Sequence, residues 1–201
     1  MTLLAPGSQP ASPAGWQRLR PFPGALPVAV TDTLDLQGAL ERYREGLRLR
    51  FRLQGAIDQL ILPPAAAEPA RCDGLWQHTC FEAFWGVPGA EGYWELNASP
   101  SGAWNLYGFD RYRQGLRPTS LSAPPRIAWT LTRADAAAGP DRLELELELH
   151  GPAPEAVPPG GLEASLTAVL EHREGGLSYW ALRHPGPEPD FHDRQGFRLR
   201  L

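Results

Sequence analysis

A chain of 201 residues is long enough to bury a substantial core as one domain, and its 21 Gly and 22 Pro, set between apolar runs, indicate many turns and not disorder. A formal net charge of −4 provides no field for a phosphate backbone, which excludes nucleic acid as an expected partner. No run approaches the roughly 18–20 apolar residues of a membrane span, so no membrane partner is expected either.

Residues 1–15 are rich in Ala, Pro, Ser and Gly and carry no basic stretch followed by an apolar one. They read as a flexible segment ahead of a single domain over 16–201, not as a signal peptide, and a cytoplasmic location is expected. Residues 34–44 place Leu36, Leu40 and Tyr43 at a helix-compatible spacing, yet Gly38 within and Gly46 just after favour a strand followed by a turn. The run LRLRFRL at 47–53 alternates apolar and charged side chains without a break, the mark of a strand with one buried and one wet face. Further strand candidates follow at 57–62, 79–85, 93–97, 104–109 and 127–132. At 143–149, LELELEL repeats the alternation with the opposite charge, so an Arg-faced and a Glu-faced strand can pair across a sheet. Residues 162–172 suit a short helix or a strand, 177–182 is another strand candidate, and FRLRL at 197–201 closes the chain in the same alternating way. Strands separated by Pro and Gly turns define the expected fold class as all-β, an antiparallel β-sandwich of two sheets. Cys72 and Cys80 are the only thiols and lie outside C-x-x-C spacing, so both are expected reduced, Cys80 within the core.

Ten of the chain's aromatic residues fall between 76 and 112, interleaved with Glu82, Glu95 and Asn97. Such a segment is either a dense core hairpin or a platform for a polar ligand. Ser99-Pro100-Ser101-Gly102 has turn chemistry, which predicts a hairpin between 93–98 and 103–109. With Ser99 opposite Gly102, Tyr93, Glu95, Asn97, Trp104 and Leu106 share one face, and Trp94, Leu96, Asn105 and Tyr107 the other. On that register a saccharide would stack on Trp104 and bond to Glu95 and Asn97, with Glu82 from the adjacent strand. Glu82 and Glu95 also admit a small glycoside-acting enzyme with paired carboxylates, while Arg71, Arg111 and Arg113 are equally placed to pair these acids structurally. An aromatic sheet face docking a partner protein is a third reading. Downstream, residues 184–193 form a proline-stiffened loop whose Asp190 and His192 can clamp a ligand or tie down the loop itself. Their spacing matches no metal motif, and no cofactor is expected.

Three blocks, LWQHTCFEAFWG (75–86), GYWELNASPSGAWNLYGFDRYRQG (92–115) and SYWALRHPGPEPDFHDRQGF (178–197), resemble the bacterial DOMON-like domain proteins, which are similar to family 9 carbohydrate-binding modules. The resemblance spans about residue 16 to 201. It implies a β-sandwich ligand-binding module, with sugar or haem as ligand classes, and an association with a MurB-type cell-wall precursor enzyme by family analogy. The only methionine is Met1, so a Met/His haem pair inside the domain is excluded. The expectation from the sequence is therefore a non-catalytic module for a saccharide or a saccharide-bearing molecule.

Overall fold

The period-two segments become strands. The structure, a computed structural model, describes residues 15–24, 28–44, 46–66, 68, 70–134, 139–150 and 157–201. The segment 1–14, most of the expected flexible arm, lies outside them. In chain order the strands are β1 (Gln17–Pro21), β2 (Asp35–Tyr43), β3 (Gly46–Gln54), β4 (Cys80–Gly86), β5 (Tyr93–Ala98), β6 (Trp104–Phe109), β7 (Arg117–Pro118), β8 (Arg126–Thr132), β9 (Arg142–Leu149), β10 (Glu163–Glu171), β11 (Leu177–Ala181) and β12 (Leu199–Arg200). Every pairing is antiparallel.

The hydrogen-bonded order is β7-β6-β5-β4-β10-β11-β1-β2-β3-β9-β8, with β12 beside β10. β1 joins two leaves, bonding β11 through Arg20 and β2 through Gln17 to Leu19. One ribbon therefore curls at β1, its ends β7 and β8 unpaired with each other, and the core lies between its halves. Phe81 of β4 meets Phe51 of β3 at 5.2 Å and Trp129 of β8 at 5.4 Å between ring centroids. The leaves pack tightly at Gly38, where a Cβ would lie 2.8 Å from Leu166 Cδ1, so the glycine that made this segment ambiguous suits the close packing of the sandwich.

The Arg-faced and Glu-faced strands pair as their charges suggest. Arg48 lies opposite Glu148, Arg50 opposite Glu146 and Arg52 opposite Glu144, with 2.9 Å contacts at the first and last pairs. These partly exposed pairs mainly set register. Residues 162–172 resolve to β10 because β4 and β11 flank them, a non-local fact that no periodicity contains. By contrast, 57–62 is not a strand. Ile57–Gln59 forms a 3-10 turn, and Leu60 makes only an isolated bridge to His172, ahead of Pro63 and Pro64, which cannot donate to a ladder. The last alternating segment shortens to Leu199–Arg200, because Phe197 ends another 3-10 turn, Arg194–Gly196.

The β5–β6 hairpin differs by one residue from the expected register. Ser99 N–H donates to Ala103 O, Gly102 N–H donates to Ser99 O, and Gly102 takes φ 87°. The connection is thus a three-residue loop with a left-handed third position, not a two-residue one. Asn97 pairs with Asn105 and Ala98 with Trp104, which turns every side chain of β6 over. Trp104 and Leu106 enter the core with Leu96, and Trp104 is only 4% exposed. Trp104 is therefore corrected from the platform to the core, its ring covered by the Arg71 guanidinium at 4.3 Å. Trp104→Ala is expected to lower stability by about 3–5 kcal/mol in urea denaturation, as for other large-to-small core changes. A variant as stable as the parent would show the ring to be dispensable to the core.

Candidate functional site

Slipping β6 by one residue brings Asn105, Tyr107 and Phe109 onto the face that carries Glu95 and Asn97. Here the outer face of the first leaf is not wet. Glu82 and Phe84 from β4, Tyr93, Glu95 and Asn97 from β5, and Thr167 and Val169 from β10 form a floor beneath loops. Above it lies a cavity of about 340 Å³, walled by Trp76, Tyr179, Arg113, Leu116 and the loop residues Pro189, Phe191 and His192. That volume is at the lower end of the roughly 300–1,000 Å³ that small-molecule sites occupy.

Glu82 and Glu95 are the buried acids of this floor, 1% and 5% exposed. Glu82 faces Asn97 across the β4–β5 pair and Glu95 faces Phe84. The two acids are therefore diagonal neighbours on one sheet face, about 7–8 Å apart along the backbone by strand geometry. Thr167 Oγ1 donates to Glu82 Oε2 at 2.9 Å, and Asn97 Nδ2 donates to Glu95 Oε1 at 2.7 Å. Cys80 Sγ donates to Asn97 Oδ1 at 3.6 Å, which holds the amide in that orientation. Burial pushes both carboxyls up, Glu82 to about 8, with the Glu95 charge adding to the effect, and Glu95 to about 7 against the opposing pull of Asn97 and Arg113. At neutral pH the pair holds at least part of a proton and can both donate and accept.

His192 closes the cavity beside them. Its Nδ1 is 2.8 Å from Tyr93 OH, and its Nε2 lies 3.8 Å from Glu95 Oε2. Tyr93 OH also accepts the Arg113 backbone N–H. Phe84 and Phe109 each pack edge-on against the imidazole at 5.2 Å. Burial, helped by the nearby Arg113 charge, pulls the ring down to about 4, so it is neutral at pH 7. Asp190 stands at the rim and not over the floor. It accepts from Tyr112 OH at 2.6 Å, Arg113 Nη2 at 2.9 Å and the His192 N–H at 3.0 Å. Burial opposes its charge, but the Tyr112 and Arg113 bonds prevail and keep its carboxyl below the usual range. These bonds tie the 184–193 loop to the turn at 110–115, where Arg113 sits at φ 52°, an unusual backbone for a non-glycine residue at a site rim.

Of the residues expected at a site, Glu82, Glu95, Asn97 and His192 come together, Asp190 positions the rim, and Trp104 faces away. Of the arginines expected near the acids, Arg71 instead bonds Asn105 and the Thr119 carbonyl, and Arg111 bonds Gln114. The sequence reading missed Phe84, Tyr107, Phe109, Trp76 and Phe191, and it offered Arg113 only as a partner for the acids, whereas Arg113 lines the cavity and bonds Asp190. Phe84 follows from Glu82 by alternation, and Tyr107 and Phe109 follow once the loop is read as three residues. Trp76 sits in the 3-10 turn Leu75–Gln77, which leaves no periodic signal.

No family model matches the chain, and no curated protein matches it by sequence. Among solved structures the chain is similar to a Bacteroides uniformis ATCC 8492 protein provisionally described as carbohydrate-binding. The TM-score is 0.60 and the identity 10%, over 90% of this chain and 84% of that one. A family 9 carbohydrate-binding module from Caldicellulosiruptor kristjanssonii, in complex with glucose, gives a TM-score of 0.40 at 10% identity, over 88% and 81% of the two chains. The fold is an all-β antiparallel sandwich, like that of the Bacteroides uniformis protein.

The acids make stability depend on pH in a defined direction. The folded-state pKa of Glu82 lies above its ordinary value of 4.5, so its protonated form favours folding. That contribution is full below about 4.5 and is lost as pH rises to about 8, with Glu95 acting in the same sense. For His192 the contribution is full above its ordinary 6.5 and lost as pH falls toward about 4. Glu82→Gln, which cannot ionise, is expected to match the parent near pH 5 and to exceed it by about 1–3 kcal/mol near pH 8 in urea denaturation. Equal stability of the two proteins at both pH values would contradict a buried, reluctant carboxylate.

Proposed function

We propose that this chain is a non-catalytic ligand-binding module that takes a saccharide, or the sugar part of a saccharide-bearing molecule, in the cavity over Glu82 and Glu95. The observation that carries the reading is the cavity itself, in which aromatic walls enclose a floor of hydrogen-bonding carboxyl and amide groups. Sugars present apolar C–H faces to rings and hydroxyls to such groups, and the volume suits a small ligand. Likeness in fold to the Bacteroides uniformis protein supports the same class. The proposal includes membership of the DOMON-like group, on the motif blocks, and a cytoplasmic setting.

Binding fits the geometry better than hydrolysis. A glycosidase pair flanks the scissile bond so that one group protonates it and the other attacks or activates water. Glu82 and Glu95 lie diagonally on one sheet face and meet a ligand from the same side. Nor do the rings form a flat docking face for a protein, since Phe84, Tyr107 and Phe109 are buried beneath the loops.

Trp76 is the wall residue to test, being 40% exposed and outside the core. Trp76→Ala is expected to change stability by no more than about 0.5 kcal/mol, as surface changes usually do. It should weaken the best ligand from a glycan array by about tenfold in calorimetry, equivalent to about 1.4 kcal/mol. Unchanged affinity would remove the mouth of this cavity from the binding surface.

A further inference from the structure

We propose that the preferred occupant of this cavity carries an ammonium group, so that an amino sugar is bound in preference to a neutral one; the inference rests on reading the cavity as a small-saccharide site. Two acids are buried side by side in the floor, and their hydrogen-bond donors, Thr167 and Asn97, are neutral. Among the described residues no arginine lies within 4 Å of either carboxyl, and the chain has no lysine. His192, 3.8 Å from Glu95, is enclosed by Phe84 and Phe109 and stays neutral.

The other charged groups that face the cavity are already matched. Arg113 is bonded to Asp190, and Asp73 accepts from Tyr107 OH at 2.5 Å and from Asn105. Arg71, behind Asn105, is held by that amide and by the Thr119 carbonyl. The Tyr93 and Tyr107 hydroxyls and the Cys80 thiol are all pushed up by burial and uncharged at neutral pH. When Glu82 and Glu95 ionise, the floor therefore carries negative charge with no arginine within 4 Å among the described residues; Arg113, bonded to Asp190, pulls on Glu95 from farther off.

A neutral sugar gives the second acid nothing that an amide would not supply at less desolvation cost. An ammonium gives both acids a counter-charge and at the same time meets the π faces of the walls, which attract cations. Because the empty pair holds a proton near neutral pH, an entering ammonium drives that proton from a carboxyl into solvent, and the two carboxylates then share the ligand's charge. Charge balances in this exchange, and no further reactant is needed.

The test is calorimetric titration of the intact protein with glucosamine, N-acetylglucosamine and glucose at about pH 6.5, where the carboxyls are largely protonated and the amine is largely charged. Running each titration in two buffers of different ionisation enthalpy counts the protons released. The expected result is glucosamine bound at least about tenfold more tightly than either neutral sugar, with release of about one to two protons as both carboxyls ionise. Glu82→Gln and Glu95→Gln should each erase that preference. Should either variant fail to fold, the proton count on the parent protein decides. Equal or tighter binding of glucose or N-acetylglucosamine overturns the ammonium proposal and leaves the saccharide reading in place. Binding of tetramethylammonium chloride, with no sugar bound, upholds the ammonium and overturns the saccharide. Failure of all four probes overturns both.

Discussion

Double burial of β4, β5 and β6 is the constraint on which the rest depends. Each strand has one face against the opposite leaf and the other beneath loops, so all but one of their nineteen residues are buried. A strand in that position cannot alternate apolar with charged side chains, as β3 and β9 do with one wet face. It must fill both sides with rings, small residues and a few polar groups that bond one another. The aromatic concentration of residues 76–112 is the compositional result, and the cavity is what remains where the outer packing is incomplete.

Within that cavity the polar groups form an ordered set. Cys80 orients Asn97, Asn97 holds Glu95, Thr167 holds Glu82, and Tyr93 aligns His192 toward Glu95. Each bond fixes a side chain whose free rotation would otherwise oppose binding. The same burial that orders them removes them from bulk solvent, which is why both acids resist ionisation and the imidazole resists protonation. Folding accordingly favours the uncharged form of all three groups.

The rim is built separately from the floor. Asp190 joins two loops that are far apart in sequence, and the left-handed Arg113 lets both its backbone N–H and its guanidinium serve that junction. Arg194 performs a similar task at the edge of β4, where its side chain lies over Gly86, pairs with Glu163 and donates to the carbonyls of Val87, Ala90 and Gly92. Loops anchored in this way give a cavity a defined shape without secondary structure of their own.

The sequence by itself determined that the chain is all-β, that its Arg-faced and Glu-faced strands can be neighbours, and that Glu82, Glu95 and Asn97 lie near one another. These follow from period-two patterning and local charge, which are physical properties of short segments. It could not settle β10, because a strand buried on both faces carries no alternation and its partners come from elsewhere in the chain. Nor could it choose between a two-residue and a three-residue hairpin loop, since Ser99-Pro100-Ser101-Gly102 suits either. Only the tertiary structure decided that point, because burying Trp104 and Leu106 against the opposite leaf selects the register. That one-residue shift sent Trp104 to the core and brought Tyr107 and Phe109 to the site.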